Sequence, residues 1–128
     1  MPGAPIGREV KNLPPDIHEV YREIRETAKN TCYTATILLA RKLIMHIAVA
    51  VGATEGETFK HYVDYLAKEG YTPPGADKLL DYIRALGNEK NHEIKLGEEL
   101  ECQRIIKLVE SLLYFVYELK GEFEDPAE

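Results

Sequence analysis

A chain of 128 residues is one ordinary domain's worth of polypeptide, long enough to bury a core without disulfides or metals as staples. Hydrophobic residues at 45% and charged residues at 30% make a globular mixture and argue against a disordered or membranous chain. A net charge of −6 argues against strong nonspecific nucleic-acid binding, which runs on phosphate neutralisation, but leaves room for a small local site.

The two cysteines, Cys32 and Cys102, belong to no C-x-x-C pair, so neither a zinc site nor a redox dithiol is expected. Both fall inside apolar helical patterns, which predicts buried free thiols and a reducing, cytoplasmic location. Met1 to Val10 carries no apolar core and does not read as a secretory signal. The most apolar stretch, Ile37 to Val51, is broken by Arg41, Lys42 and His46 and falls short of the roughly 20 residues a membrane span requires. It is predicted as the core helix of a soluble chain with no membrane partner.

Residues 1 to 12 are rich in proline and glycine, show no periodicity, and are predicted as a flexible arm. Leu13-Pro14-Pro15-Asp16 then opens a helix, with two prolines stopping the chain before it and Asp16 as its N-cap. Ile17, Val20, Tyr21, Ile24 and Ala28 form its apolar face. A second helix runs from about Thr31 to Val51, closed by Gly52. It is apolar on nearly all sides, as suits a helix in the middle of a bundle or at a subunit contact. A third, about Gly56 to Glu69, carries Phe59, Tyr62, Val63 and Leu66 on one stripe. Tyr71-Thr72-Pro73-Pro74-Gly75 is a turn.

A fourth helix opens near Ala76 on the stripe Leu79, Leu80, Ile83 and Leu86, and Gly87-Asn88 either caps it or sits in a close helix contact. The last runs from about Glu98 to Lys120, with Gly121 after it. The acidic end from Glu118 to Glu128 reads as solvated, with 124–128 as a frayed tail. No segment alternates with period two for long enough to be a strand. The expected fold is all-α: one compact bundle of about five helices over residues 13–123.

The chemistry concentrates in Asp81-Tyr82-Ile83-Arg84-Ala85-Leu86-Gly87-Asn88-Glu89-Lys90-Asn91-His92. Arg84 to Asn88 and Asn88 to His92 are each four residues apart, so a continuous helix would set them in one polar ridge. Arginine's planar fork suits a phosphoryl group and the imidazole is an acid or base near neutral pH. Arg84, Asn88, Asn91 and His92 are therefore the candidate ligand-binding residues. Spacing alone equally permits a helix terminus at Gly87-Asn88, with His92 satisfying the last carbonyls.

Leu13-Pro14-Pro15 with Tyr21-Arg22-Glu23, Leu38-Leu39-Ala40-Arg41 and the string Arg84-x-x-Gly87-Asn88-x-x-x-His92 carry a resemblance. Over Leu13 to Phe123 the chain resembles a domain-of-unknown-function family of small helical bundles. Its members are fused or adjacent to restriction-modification and other defence proteins, and are similar to HEPN domains (higher eukaryotes and prokaryotes nucleotide-binding). In active HEPN nucleases an arginine, a polar residue and a histidine four to six residues beyond the arginine make a metal-independent RNase site. Here His92 matches the histidine and Asn88 the polar residue, but Gly87 stands at the arginine position and Arg84 lies almost a turn earlier. If the site were catalytic, the resemblance implies attack of a ribose 2′-hydroxyl on its own phosphate. His92 would serve as acid or base, Arg84 would stabilise the phosphorane and Asn88 would orient the substrate.

Arg41, inside an apolar helix, needs a carboxylate or carbonyl partner and is expected to be structural, as is Gly87. Relatives often carry a glutamate four residues on, where this chain has Met45. His46 is expected as a hydrogen-bonded core histidine, and no metal-ligand spacing occurs. Tyr62, Tyr65, Tyr71 and Tyr82 are expected at the core or its rim.

The leading expectation is a non-catalytic binding or assembly module in a nucleic-acid-related or defence context, without a cofactor. It would pair as a homodimer through its second and last helices and meet an RNA or nucleotide ligand or a defence-system protein. The rivals are a metal-independent endoribonuclease using Arg84, Asn88 and His92, and a structural partner whose function lies in another chain.

Overall fold

The computed structural model describes residues 7–87 and 96–124, and over these it is all-helical, without a strand. The elements are α1 (Pro15–Lys29), α2 (Tyr33–Ala50), α3 (Phe59–Lys68), α4 (Asp77–Leu86) and α5 (Glu99–Leu113). Beyond α5 the chain continues through a π-helical stretch, Tyr114–Leu119, into a closing turn, α6 (Lys120–Phe123). This is the expected compact helical bundle.

α1 begins one residue before its expected cap. Pro15 takes the first helical position, where its missing N–H costs nothing and its fixed φ suits the helix. Asp16 falls inside the first turn and favours the positive end of the helix dipole. α1 buries Ile17, Tyr21, Ile24 and Ala28 against α2, and the two helices are pinned where Thr27 Oγ1 meets Thr36 Oγ1 at 2.7 Å.

α2 packs against α1, α3, α4 and α5, which bury most of its apolar residues and leave a stripe through Leu38, Lys42 and His46 exposed. Ile37, Ala40, Ile44, Ile47 and Ala48 are wholly buried. Its 18 residues have a mean hydropathy of 1.3, a value that a central helix of a bundle also reaches. It closes at Gly52, whose φ of +122° only glycine adopts without strain. Tyr65 crosses there, its hydroxyl donating to the Val51 carbonyl at 3.1 Å.

Helix directions follow from contacts at both ends. The Gly97 amide donates to Thr34 Oγ1 at 2.8 Å beside the start of α2, while Val51 and Gly52 at its end share a groove with Phe115 and Val116. α2 and the C-terminal helix therefore run parallel, and α3 and α4 make the crossover. α4 runs antiparallel to α5: Tyr82 accepts from the Glu98 amide at 3.1 Å, while Ala76 shares a groove with Leu108 and Ser111.

Five local expectations are corrected. Residues 7–12, expected within a flexible arm, lie along the bundle as a strap. Arg8 donates its amide to Glu110 at 2.7 Å, Lys11 donates to Glu118 at 2.8 Å, and Tyr21 donates to the Arg8 carbonyl at 2.6 Å. Glu118 is accordingly buried rather than solvated, its carboxylate holding that strap. Gly121 lies within α6 instead of after the helix, and there it makes room for Asn12 of the strap: a Cβ would stand 2.6 Å from Asn12 Nδ2. Cys32 is exposed at the start of α2, and only Cys102 is buried. His46 is exposed as well, on the face of α2 left open to solvent.

Candidate functional site

The candidate residues gather at the C-terminal end of α4, where the last carbonyls of any helix lack intrahelical donors. Arg41 reaches them from α2. Its Nη1 donates to the Arg84 carbonyl at 3.1 Å and to the Ile83 carbonyl at 3.5 Å. A cation there also meets the negative end of the α4 dipole. The same guanidinium stands over the Phe59 ring, 4.7 Å from its centroid, which joins α2, α3 and α4 through one side chain.

Gly87 is the C-cap of α4, and it is also the close contact that sequence left as the alternative. A Cβ at this position would lie 2.6 Å from Arg41 Cδ and 2.9 Å from both Nε and Nη1. Only a residue without a side chain leaves room for the arginine to reach the helix end.

Arg84 sits one turn before this cap. Its Nε donates to Asp81 Oδ1 at 2.9 Å, and 41% of its side chain is exposed. It lines a groove of about 520 Å³ between α3 and α4 together with Lys60, Asp64, Asp77 and Asp81. Lys60 pairs with Asp64 at 3.4 Å. Both cations are thus matched by carboxylates, Asp77 adds a further negative charge, and the groove is net acidic. Among the described residues no cluster of His, Cys, Asp or Glu could hold a metal ion.

Asn88, Asn91 and His92 lie outside the described residues, so of the expected polar ridge only Arg84 is placed. Phe59 is the member of this constellation that sequence reading missed. Its spacing places it on the apolar stripe of α3, and nothing local marks a buried aromatic as a platform for a cation from another helix.

The tyrosines divide as expected between core and rim: Tyr62 is buried, while Tyr65, Tyr71 and Tyr82 are half-buried against the core. Burial raises the Tyr82 phenol above its ordinary value.

Residues 22–126 match the family described as a domain of unknown function, DUF4145. The chain belongs to that family. The match begins inside α1 and runs past α6, so the DUF4145 domain takes in nearly the whole bundle, the Arg41–Gly87 contact and the groove beside Arg84 included. No curated protein and no solved structure matches the chain.

Proposed function

We propose that this DUF4145 domain is a non-catalytic binding or assembly module of HEPN-like kind, working in a nucleic-acid-related or defence context. The context rests on the resemblance of the Arg84-x-x-Gly87-Asn88-x-x-x-His92 string to HEPN domains. The observation that carries the non-catalytic reading is the surroundings of Arg84. A phosphate-stabilising arginine needs its guanidinium aimed at the reacting group in a site of positive potential. Arg84 instead donates to Asp81 and faces a groove shared with Asp64 and Asp77, whose charges repel a phosphodiester.

The assembly half of the reading draws on large apolar side chains left exposed on α2 and the C-terminal helix. Leu38 is 45% exposed, Leu100 53% and Phe115 52%. A symmetric dimer through these helices would cover them.

Incubation of single-stranded and structured RNA with the protein in EDTA tests the reading. No cleavage is expected. Cleavage that leaves 2′,3′-cyclic phosphate ends, and that disappears in folded His92→Ala and Arg84→Ala variants, would replace the module with a metal-independent endoribonuclease.

A further inference from the structure

The strap, residues 7–12, is gripped mainly by its main chain, in the seam between α1 and the C-terminal helix. On one side the Arg8 and Lys11 amides donate to the Glu110 and Glu118 carboxylates at 2.7 and 2.8 Å. On the other, Tyr21 donates to the Arg8 carbonyl at 2.6 Å and Arg25 Nη2 to the Gly7 carbonyl at 3.4 Å. The strap's own sequence completes the fit. Gly7 comes so near α5 that a Cβ would stand 2.9 Å from Ile106 Cγ2. The Arg8 guanidinium lies 5.0 Å from the centroid of the Tyr114 ring, and Val10 is buried in the core. Glu118 is the one charged side chain buried among the described residues, so an empty seam would leave its carboxylate short of a donor. The seam is built for an extended segment of this sequence, whichever copy of the chain supplies it.

The link from strap to α1 is short and stiff. The strap runs antiparallel to α1, with Gly7 beside Arg25 and Arg8 beside Tyr21, and the reversal falls at Asn12, where φ is +65°. Asparagine tolerates this left-handed backbone without favouring it. Leu13 and Pro14 each precede a proline, which biases both toward extended backbone, and Pro14 has a ψ of 150°. A short hinge with one strained residue is the kind of link that hands its segment to a neighbouring copy. Apolar surface lies beside it. Asn12 lines a groove of about 1040 Å³ with Val51, Leu119, Phe115 and Phe123, and the two phenylalanines are 52% and 81% exposed.

We propose that two copies of the chain exchange straps, each laying residues 7–12 into the seam between α1 and the C-terminal helix of the other. Exchange remakes every strap hydrogen bond, relieves the turn at Asn12 and brings a second copy over Phe115 and Phe123. These gains stand against the entropy lost on association. The inference rests on the assembly half of the proposed function and names the segment that ties the copies together. That segment precedes the matched residues 22–126, so the family match does not describe it.

Cross-linking of the full chain tests it, in a Cys32→Ser background whose remaining thiol, Cys102, is buried. Chains carrying Arg8→Cys and chains carrying Glu110→Cys are unfolded together, refolded at micromolar concentration and treated with a short bismaleimide. A chain carrying both cysteines establishes that the reagent spans the pair, and Arg8→Cys mixed with Lys60→Cys gives the yield of chance contact. The mixed pair is expected to form a covalent heterodimer severalfold above that yield. Asn12→Val, which strains the turn further, should raise it again. Circular dichroism of each variant separates lost exchange from lost folding. A yield no higher than chance from folded chains would overturn the proposal, as would a yield that Asn12→Val leaves unchanged. Sedimentation of wild type keeps the two readings apart. A dimer whose straps do not cross-link overturns exchange and leaves pairing through α2 and the last helix standing, whereas a monomer at all concentrations overturns both.

Discussion

Arg41 and Gly87 occupy one space: the aliphatic end of the arginine fills the volume that a side chain at position 87 would need, with 2.6 Å between Arg41 Cδ and an ideal Cβ. Gly87→Ala must therefore push Arg41 off the Ile83 and Arg84 carbonyls and off the Phe59 ring. A loss of about 1–3 kcal/mol in denaturant unfolding is expected. In an Arg41→Ala background the same change should be close to neutral, since the space is then empty and Gly87 has an ordinary φ of −92°. A double-mutant cycle measures the coupling, and purely additive losses would show that the two residues do not compete.

Gly97 gives a harsher version of the same test. A Cβ there would stand 2.6 Å from Ile37 Cδ1 and 3.0 Å from backbone atoms of both Tyr33 and Thr34. Backbone inside α2 cannot yield as a side chain can, so Gly97→Ala should separate the start of α5 from α2 and cost about 2–3 kcal/mol. Thermal unfolding of Gly97→Ala beside wild type measures the loss, and an unchanged midpoint would show that the contact with α2 yields.

Tyr21 makes a pH-dependent prediction. It is buried and donates to the Arg8 carbonyl of the strap, and burial, followed by the Glu110 charge, pushes its phenol up from 10.0 to about 12. A folded-state pKa above the unfolded one means that the folded form keeps its proton longer. The stabilisation is complete below pH 10 and is lost as the pH rises toward 12, by on the order of 2–3 kcal/mol. Wild type should exceed Tyr21→Phe by about 1 kcal/mol at pH 7, and the gap should close and reverse between pH 10 and 12. A constant gap across that range in urea titrations would contradict the assignment.

The two thiols should react at very different rates. Cys32 is exposed, whereas Cys102 is fully buried and its thiol is pushed up by that burial. A chromogenic disulfide should titrate one equivalent quickly in native protein and the second only as the fold opens. The Cys32→Ser variant should lose the fast phase alone.

Assembly is testable through Leu38 and Leu100, both exposed and both near the starts of their helices. Sedimentation equilibrium is expected to show a dimer in wild type and a shift to monomer in Leu38→Asp and Leu100→Asp, with helicity unchanged. A wild-type monomer at all concentrations would remove the dimer from the reading.

The helices were legible in the sequence because apolar residues recur at helical spacing for long stretches, and prolines and glycines punctuate them. Ile17, Tyr21, Ile24 and Ala28 of α1 are all buried, and Gly52 closes α2 as its position implied. Legibility failed where the environment comes from a distant part of the chain. Cys32 sits at the head of an apolar pattern and is exposed because α2 starts after it, while Glu118, within an acidic run, is buried because a strap more than a hundred residues earlier needs an acceptor.

By itself, then, the sequence determined an all-α bundle, its approximate helix boundaries and the residues at its centre, since periodicity and turn chemistry are local properties of the chain. Only the tertiary structure decided what those residues do for one another. It matched Arg41 to the end of α4, set Asp64, Asp77 and Asp81 around Arg84, and gathered Lys78, Arg104 and Lys107 with Glu101 along one groove. The sign of a local potential is a sum over charges brought together in space, and their order along the chain does not contain it.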